Sequence, residues 1–127
     1  MIVLDASVMI AVLDPSDAHF EPARKLFRAN TSERLTALRL TVAEALVLAT
    51  RVRHGSAAAA ALAAFGVGYL DEPDDPLALA QLRASTRLRM PDFCVLAATL
   101  RERARLATFD ERLAVAARSV GVVVETT

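Results

Sequence analysis

Short β-like runs alternating with longer helical stretches predict an α/β domain, with a central parallel sheet of about five strands covered by helices on both faces. Three observations carry this expectation. Brief apolar runs recur along the chain, beginning with Ile2-Val3-Leu4. Between them, apolar side chains fall at helical spacing. The chain has 127 residues, 54% of them hydrophobic, which is enough for one substantial core and one domain over residues 1–127.

Ile2–Leu4 reads as a buried strand. Ser7 is placed to cap a short helix over 8–13, which Asp14-Pro15 ends. A second helix over 17–29 sets Phe20, Ala23, Leu26 and Phe27 on one face, with Pro22 near its start. Leu35–Leu38 is the next strand, and Thr41 is placed to cap a helix that continues to about Arg53. Ser56 opens an alanine-rich helix to about Phe65, since alanine is the best helix former and small side chains allow close packing. Gly66 stops it before a strand over 67–70. Asp74 or Asp75 with Pro76 starts a helix over 77–87, and Pro91-Asp92 starts another to about Arg103. A strand over 106–108, a helix over Glu111–Ser119, a stop at Gly121 and a strand over 122–124 complete the order.

Composition removes several classes. Net charge is zero, from 15 basic and 15 acidic residues, so nucleic-acid contact has to come from local patches. Cys94 is alone, which excludes a disulfide framework and a cysteine-built zinc site; its apolar neighbours mark it as a buried, inert thiol. The amino-terminal apolar run is interrupted by Asp5 and Asp14, unlike a signal peptide. The longest uncharged stretch, over 55–70, falls short of the ~20 residues that cross a bilayer. A soluble, cytoplasmic protein is expected, without a membrane partner.

Four acids stand out against this apolar background. Asp5 closes the first strand, Glu44 lies near a helix start, Asp92 follows Pro91 at another, and Asp110 follows the fourth strand. In open α/β sheets, ligands bind beyond the carboxyl ends of the strands. Carboxylates collected there make sense mainly if a divalent cation joins them, and that points to chemistry on a phosphate ester. Each acid also has a structural reading. Asp5 could cap a helix, although Ser7 is available for that. Glu44 and Asp92 could complement helix dipoles. Asp110 could cap its own helix within Thr108-Phe109-Asp110-Glu111. Glu44 is the most telling, because Leu40, Thr41, Val47 and Leu48 put it on the apolar side of its helix, where an unpaired carboxylate is costly.

The segments Val3-Leu4-Asp5-Ala6-Ser7, Thr41-Val42-Ala43-Glu44-Ala45-Leu46, Met90-Pro91-Asp92-Phe93-Cys94-Val95-Leu96-Ala97-Ala98 and Thr108-Phe109-Asp110-Glu111-Arg112-Leu113 together resemble a PIN domain. More narrowly, the chain resembles the VapC toxins of bacterial type II toxin–antitoxin pairs, in order and spacing over essentially its whole length. The resemblance implies a PIN-like α/β/α sandwich and a Mg²⁺- or Mn²⁺-dependent endoribonuclease. It also implies an acidic site of Asp5, Glu44, Asp92 and Asp110, with Ser7 and Thr108 as supporting hydroxyls. Leu113 stands where many members have phenylalanine. A small antitoxin that covers the acidic crevice, an RNA substrate and homodimerisation follow as expected partners, with apolar surface near Phe20, Leu26 and Leu46 receiving the antitoxin.

An all-carboxylate donor set suits Mg²⁺ or Mn²⁺ rather than zinc. Asp5 and Asp92 are expected as direct ligands, and Arg89 as the best candidate for a phosphate contact. The pairs Arg24/Arg28, Arg83/Arg87 and Arg101/Arg105 read as solvated helix faces, and His19 and His54 as loop or surface residues. A flavodoxin-like phosphoacceptor lacks its adjacent acids here, and the scattered glycines form no phosphate-cradling loop. The alternative from another class is a PIN-like module that binds a partner without catalysis.

Overall fold

The computed structural model describes residues 1–125; positions 126 and 127 of the expected domain lie outside the described residues. The elements run β1 (Ile2–Leu4), α1 (Ala6–Leu13), α2 (Phe20–Ala29), β2 (Leu35–Leu38), α3 (Arg39–Ala45), α4 (Val47–Arg51) and α5 (Gly55–Ala64). They continue with β3 (Gly68–Leu70), α6 (Pro76–Thr86), α7 (Asp92–Glu102), β4 (Arg105–Ala107), α8 (Glu111–Ser119) and β5 (Val124–Glu125).

All neighbouring strands pair in parallel, in the order β3-β2-β1-β4-β5. Strand β1 is therefore central, with Ile2, Val3 and Leu4 opposite Arg105, Leu106 and Ala107 of β4. Side chains alternate across the sheet, and the two faces build separate cores. Ile2 and Leu4 pack with α1, α2 and α5 through Val8, Met9, Leu26, Phe27 and Leu62. Val3, Leu38 and Leu106 pack on the other face with Phe93, Leu96 and Leu113 from α7 and α8. The result is the expected α/β/α sandwich.

Several boundaries differ from the sequence expectation for local reasons. Helix α2 starts at Phe20 rather than near Asp17, because two aspartates hold turns ahead of it: Ser16 donates to Asp14 and His19 donates to Asp17 through backbone N–H groups. The helix expected over 41–53 starts earlier, at Arg39, and breaks at Leu46 into α3 and α4. Strands three, four and five shift by one or two residues, to 68–70, 105–107 and 124–125. Strand register, fixed by pairing of β3 with β2, β4 with β1 and β5 with β4, overrides the apolar run as a boundary signal. The alanines of α5 leave most of that helix exposed, and only Leu62 is buried.

Candidate active site

The carboxyl ends of the two central strands supply the first half of the site. After Leu4 the chain leaves the sheet, with the Asp5 backbone N–H still donating to the Ala107 carbonyl at 3.0 Å. This ties the ends of β1 and β4 together. Asp5 occupies the residue before α1, yet its side chain makes no capping bond. Its Oδ2 instead accepts hydrogen bonds from Ser7 Oγ and Thr108 Oγ1, each at 2.8 Å. Ser7 was expected to cap α1; it lies within that helix, and its Oγ accepts from the Phe109 N–H at 3.0 Å. Thr108 also accepts from the Asp110 N–H at 2.9 Å. Two hydroxyls thus lace the segment after β4 onto a carboxylate that is only 5% exposed.

Asp110 is a helix cap whose charge also reaches Asp92. Its Oδ1 accepts from the backbone N–H groups of Arg112 and Leu113 at 2.9 and 3.4 Å, satisfying the first turn of α8. Asp92 opens α7 directly after Pro91, half-buried at the helix start. Its carboxyl is pushed up to about 6, first by burial, then by the negative charges of Asp5, Asp110 and Glu44. Among the described residues, no cation or donor offsets these effects. The Glu44 carboxyl is also raised, first by partial desolvation of the carboxyl and then by the Asp5 charge, although the residue as a whole is exposed. Four acids from four segments therefore share one electrostatic environment. Among the described residues, no three of them close into a ready-made metal cage.

Two placements correct the sequence reading of Glu44 and its helix. Glu44 is exposed rather than set among buried side chains, because Leu40 on α3 and Leu48 on the adjoining α4 are themselves 65% and 67% exposed. Their apolar character marks open surface and not core. Thr41 sits inside α3 rather than at its cap, and its buried hydroxyl is the one buried side-chain polar atom without a partner among the described residues.

The surroundings add further differences. Arg89 is exposed in the segment between α6 and α7. Cys94 is half-buried rather than buried, and burial pushes its thiol up. Arg105 belongs to β4, where it pairs with Glu33 and Glu125 instead of sharing a helix face with Arg101. Leu26 is buried and takes no part in the surface. One exposed apolar groove, of about 670 Å³, is bounded by Ile10, Leu13, Leu48, Val52 and Ala61, with Glu44 at its edge, and a second concavity of about 740 Å³ borders Phe20. His19 and His54 lie at helix starts on the surface. One relationship escaped the sequence: the His19 ring stacks on Phe109, with centroids 4.5 Å apart and planes inclined by 10°. These residues are 90 positions apart, and only the packing of α2 beside the end of β4 brings them together.

The donor chemistry fits a hard divalent cation. The converging groups are carboxylates and hydroxyls, and the three groups whose charges act on Asp92 are all carboxylates. The carboxylate charges that help raise Asp92 and Glu44 are what a cation would relieve.

Comparison with known proteins accords with this fold. A search of curated proteins found no match. Among solved structures, the chain is similar to VapC20 of Mycobacterium tuberculosis, described as a toxin that cleaves the sarcin–ricin loop; identity is 21%, 97% of each chain is covered and the TM-score is 0.75. It is also similar to a toxin–antitoxin complex from Klebsiella pneumoniae, at 20% identity, 87% of each chain and a TM-score of 0.73. FitAcB from Neisseria gonorrhoeae matches at 20% identity, over 98% of this chain and 96% of that one, with a TM-score of 0.71. At these identities the likeness is one of fold. The family model of the PIN domain, however, matches residues 2–119, nearly the whole sequence. The chain belongs to the PIN-domain family.

Proposed function

We propose that this PIN domain is a Mg²⁺- or Mn²⁺-dependent endoribonuclease and the toxin of a toxin–antitoxin pair. The observation that carries the reading is the elevation of Asp92 to about 6 by burial and by three other carboxylates drawn from distant segments. Folding does not gain from such repulsion, so a cationic ligand is the reason to keep it. The similar solved structures include a toxin described as cleaving an RNA loop and a toxin–antitoxin complex, which supports the same direction.

Asp5 and Asp92 would hold the cation directly. Glu44 and Asp110 would act through water, hold a second ion or orient the attacking water. When bound, Mg²⁺ or Mn²⁺ would supply Lewis-acid activation of a water and neutralise phosphate charge. Ser7 and Thr108 fix the Asp5 carboxylate by donating to one of its oxygens, so the other remains available. Arg89, exposed beside the Pro91-Asp92 step, is assigned to a substrate phosphate.

The apolar groove beside Glu44 is assigned to the antitoxin, with a cationic side chain of that partner reaching the acidic crevice. Homodimerisation and a cytoplasmic setting belong to the same proposal; no helix among the described residues is long and apolar enough to cross a membrane. The deciding experiment is cleavage of cellular RNA by the purified chain with and without Mg²⁺ or Mn²⁺, alongside Asp5→Asn and Asp92→Asn. Cation-dependent cleavage lost in both variants supports the reading; cleavage that survives them ends it.

A further inference from the structure

We propose that the stacked pair of His19 and Phe109 forms a platform for one unpaired nucleobase of the RNA beside the cleaved phosphate, a subsite that rests on the ribonuclease reading above. Phe109 is the fixed member. It packs partly buried against the core, and its N–H is held by Ser7 Oγ at 3.0 Å, so it is tied to the hydroxyl that also holds Asp5. His19 is the open member. One ring face covers Phe109, while the side chain as a whole stays 54% exposed. Its backbone is immobilised from both directions: its N–H donates to Asp17 Oδ1 at 2.8 Å, and its carbonyl accepts from Ala23 at 2.9 Å. The ring is therefore presented from a fixed turn, and ordering it on binding costs little conformational freedom.

The pair borders a concavity of about 260 Å³ that shares Thr108 and Asp110 with the acidic site. Pro22 and Ala114 give it apolar surface, and Glu111 and Arg118 give it a polar rim. Guanidinium donors and a carboxylate acceptor suit the mixed edge of a base. Glu111 would repel a bare phosphate, and an aliphatic side chain would leave both rim groups unused. Aromatic faces bind single-stranded nucleic acid by stacking, because every base offers a π-face. A base leaving the acidic crevice on this side would meet the platform within the same wall of residues, Thr108-Phe109-Asp110.

The test compares the wild-type chain with His19→Ala and His19→Phe. Binding of a short fluorescein-labelled single-stranded RNA is followed by anisotropy, with Ca²⁺ in place of Mg²⁺, and steady-state cleavage is followed in Mg²⁺. His19→Ala should weaken RNA binding about five- to twentyfold and raise KM correspondingly, with kcat within about twofold. His19→Phe, which keeps the stacking face without the imidazole, should restore both. His19 is exposed, so an unchanged melting temperature checks that the alanine variant is folded. Equal affinity of wild type and His19→Ala, or a loss that phenylalanine does not restore, overturns the platform. Absence of Mg²⁺- or Mn²⁺-dependent cleavage by the wild-type chain ends the ribonuclease reading instead, and the binding measurement still decides the stacking independently.

Discussion

Thr108 donates a 2.8 Å hydrogen bond to Asp5 across 103 residues of sequence, joining the segment after β4 to the end of β1. Asp5 is almost fully buried, and its Oδ2 depends on this donor and Ser7. Thr108→Val should therefore leave a buried carboxylate oxygen with one donor fewer, costing about 1–3 kcal/mol, and should reduce cleavage by misplacing Asp5. Urea unfolding and initial rates measure the two effects. An unchanged unfolding midpoint would count against this bond as a support of the site.

Asp92 predicts how stability responds to pH. Without metal, the folded chain holds this proton up to about pH 6, whereas the ordinary carboxylate value is 3.8. Between those values the folded state binds more protons than the unfolded one. Stability should fall as pH rises through this window and stay lower above it. Melting curves in chelator should show this decline for the wild type, a flatter profile for Asp92→Asn, and recovery in the wild type when Mg²⁺ is added.

The same group predicts the pH response of cleavage. A cation has to displace the Asp92 proton, so at sub-saturating Mg²⁺ the rate should rise with pH through about 6. Raising Mg²⁺ should move the midpoint to lower pH. A midpoint indifferent to Mg²⁺ would place the controlling ionisation elsewhere.

Asp110 separates folding from chemistry. Asp110→Ala removes the α8 cap and should cost about 1 kcal/mol. Asp110→Asn keeps an acceptor for Arg112 and Leu113 but removes the charge. The asparagine variant should melt near the wild type yet cleave at least about tenfold more slowly, since one carboxylate of a charge-stabilising set is lost. Equal activity of the asparagine variant would leave Asp110 as a cap alone.

Leu48 lies exposed in the groove beside Glu44. Leu48→Glu would force an unpaired charge under an apolar partner segment. Affinity for the proposed antitoxin should drop at least about tenfold, or about 1.4 kcal/mol, with the proposed RNA cleavage retained. Calorimetric titration with the purified antitoxin reads the first effect.

The order of elements was legible because strands and helices here differ plainly in length and period, and β2 and α8 fall on their expected residues. Asp5 and Asp110 were legible as neighbours because both end strands that turned out to pair directly. Glu44 was found for a reason that does not hold. Its apolar flanks, Leu40 and Leu48, suggested a core, but they line open surface. Periodicity reports which residues share a face; it does not report whether another element covers that face. Ser7 and Thr41 were read as caps because hydroxyls favour those positions, and in each case tertiary packing drew the residue into a helix. The His19–Phe109 stack had no sequence signal at all, since neither residue belongs to a motif that specifies the other.

The central position of β1 has a bearing on how such a protein is synthesised. A nascent chain that has emerged only through α5 already carries Asp5 and Glu44, but the partner strand β4 and the hydroxyl of Thr108 are still missing. The hydroxyl that positions the first carboxylate is therefore translated 103 residues after it. Under the proposed activity, an unfinished polypeptide on the ribosome is harmless, and potency arrives only when the closing segment docks.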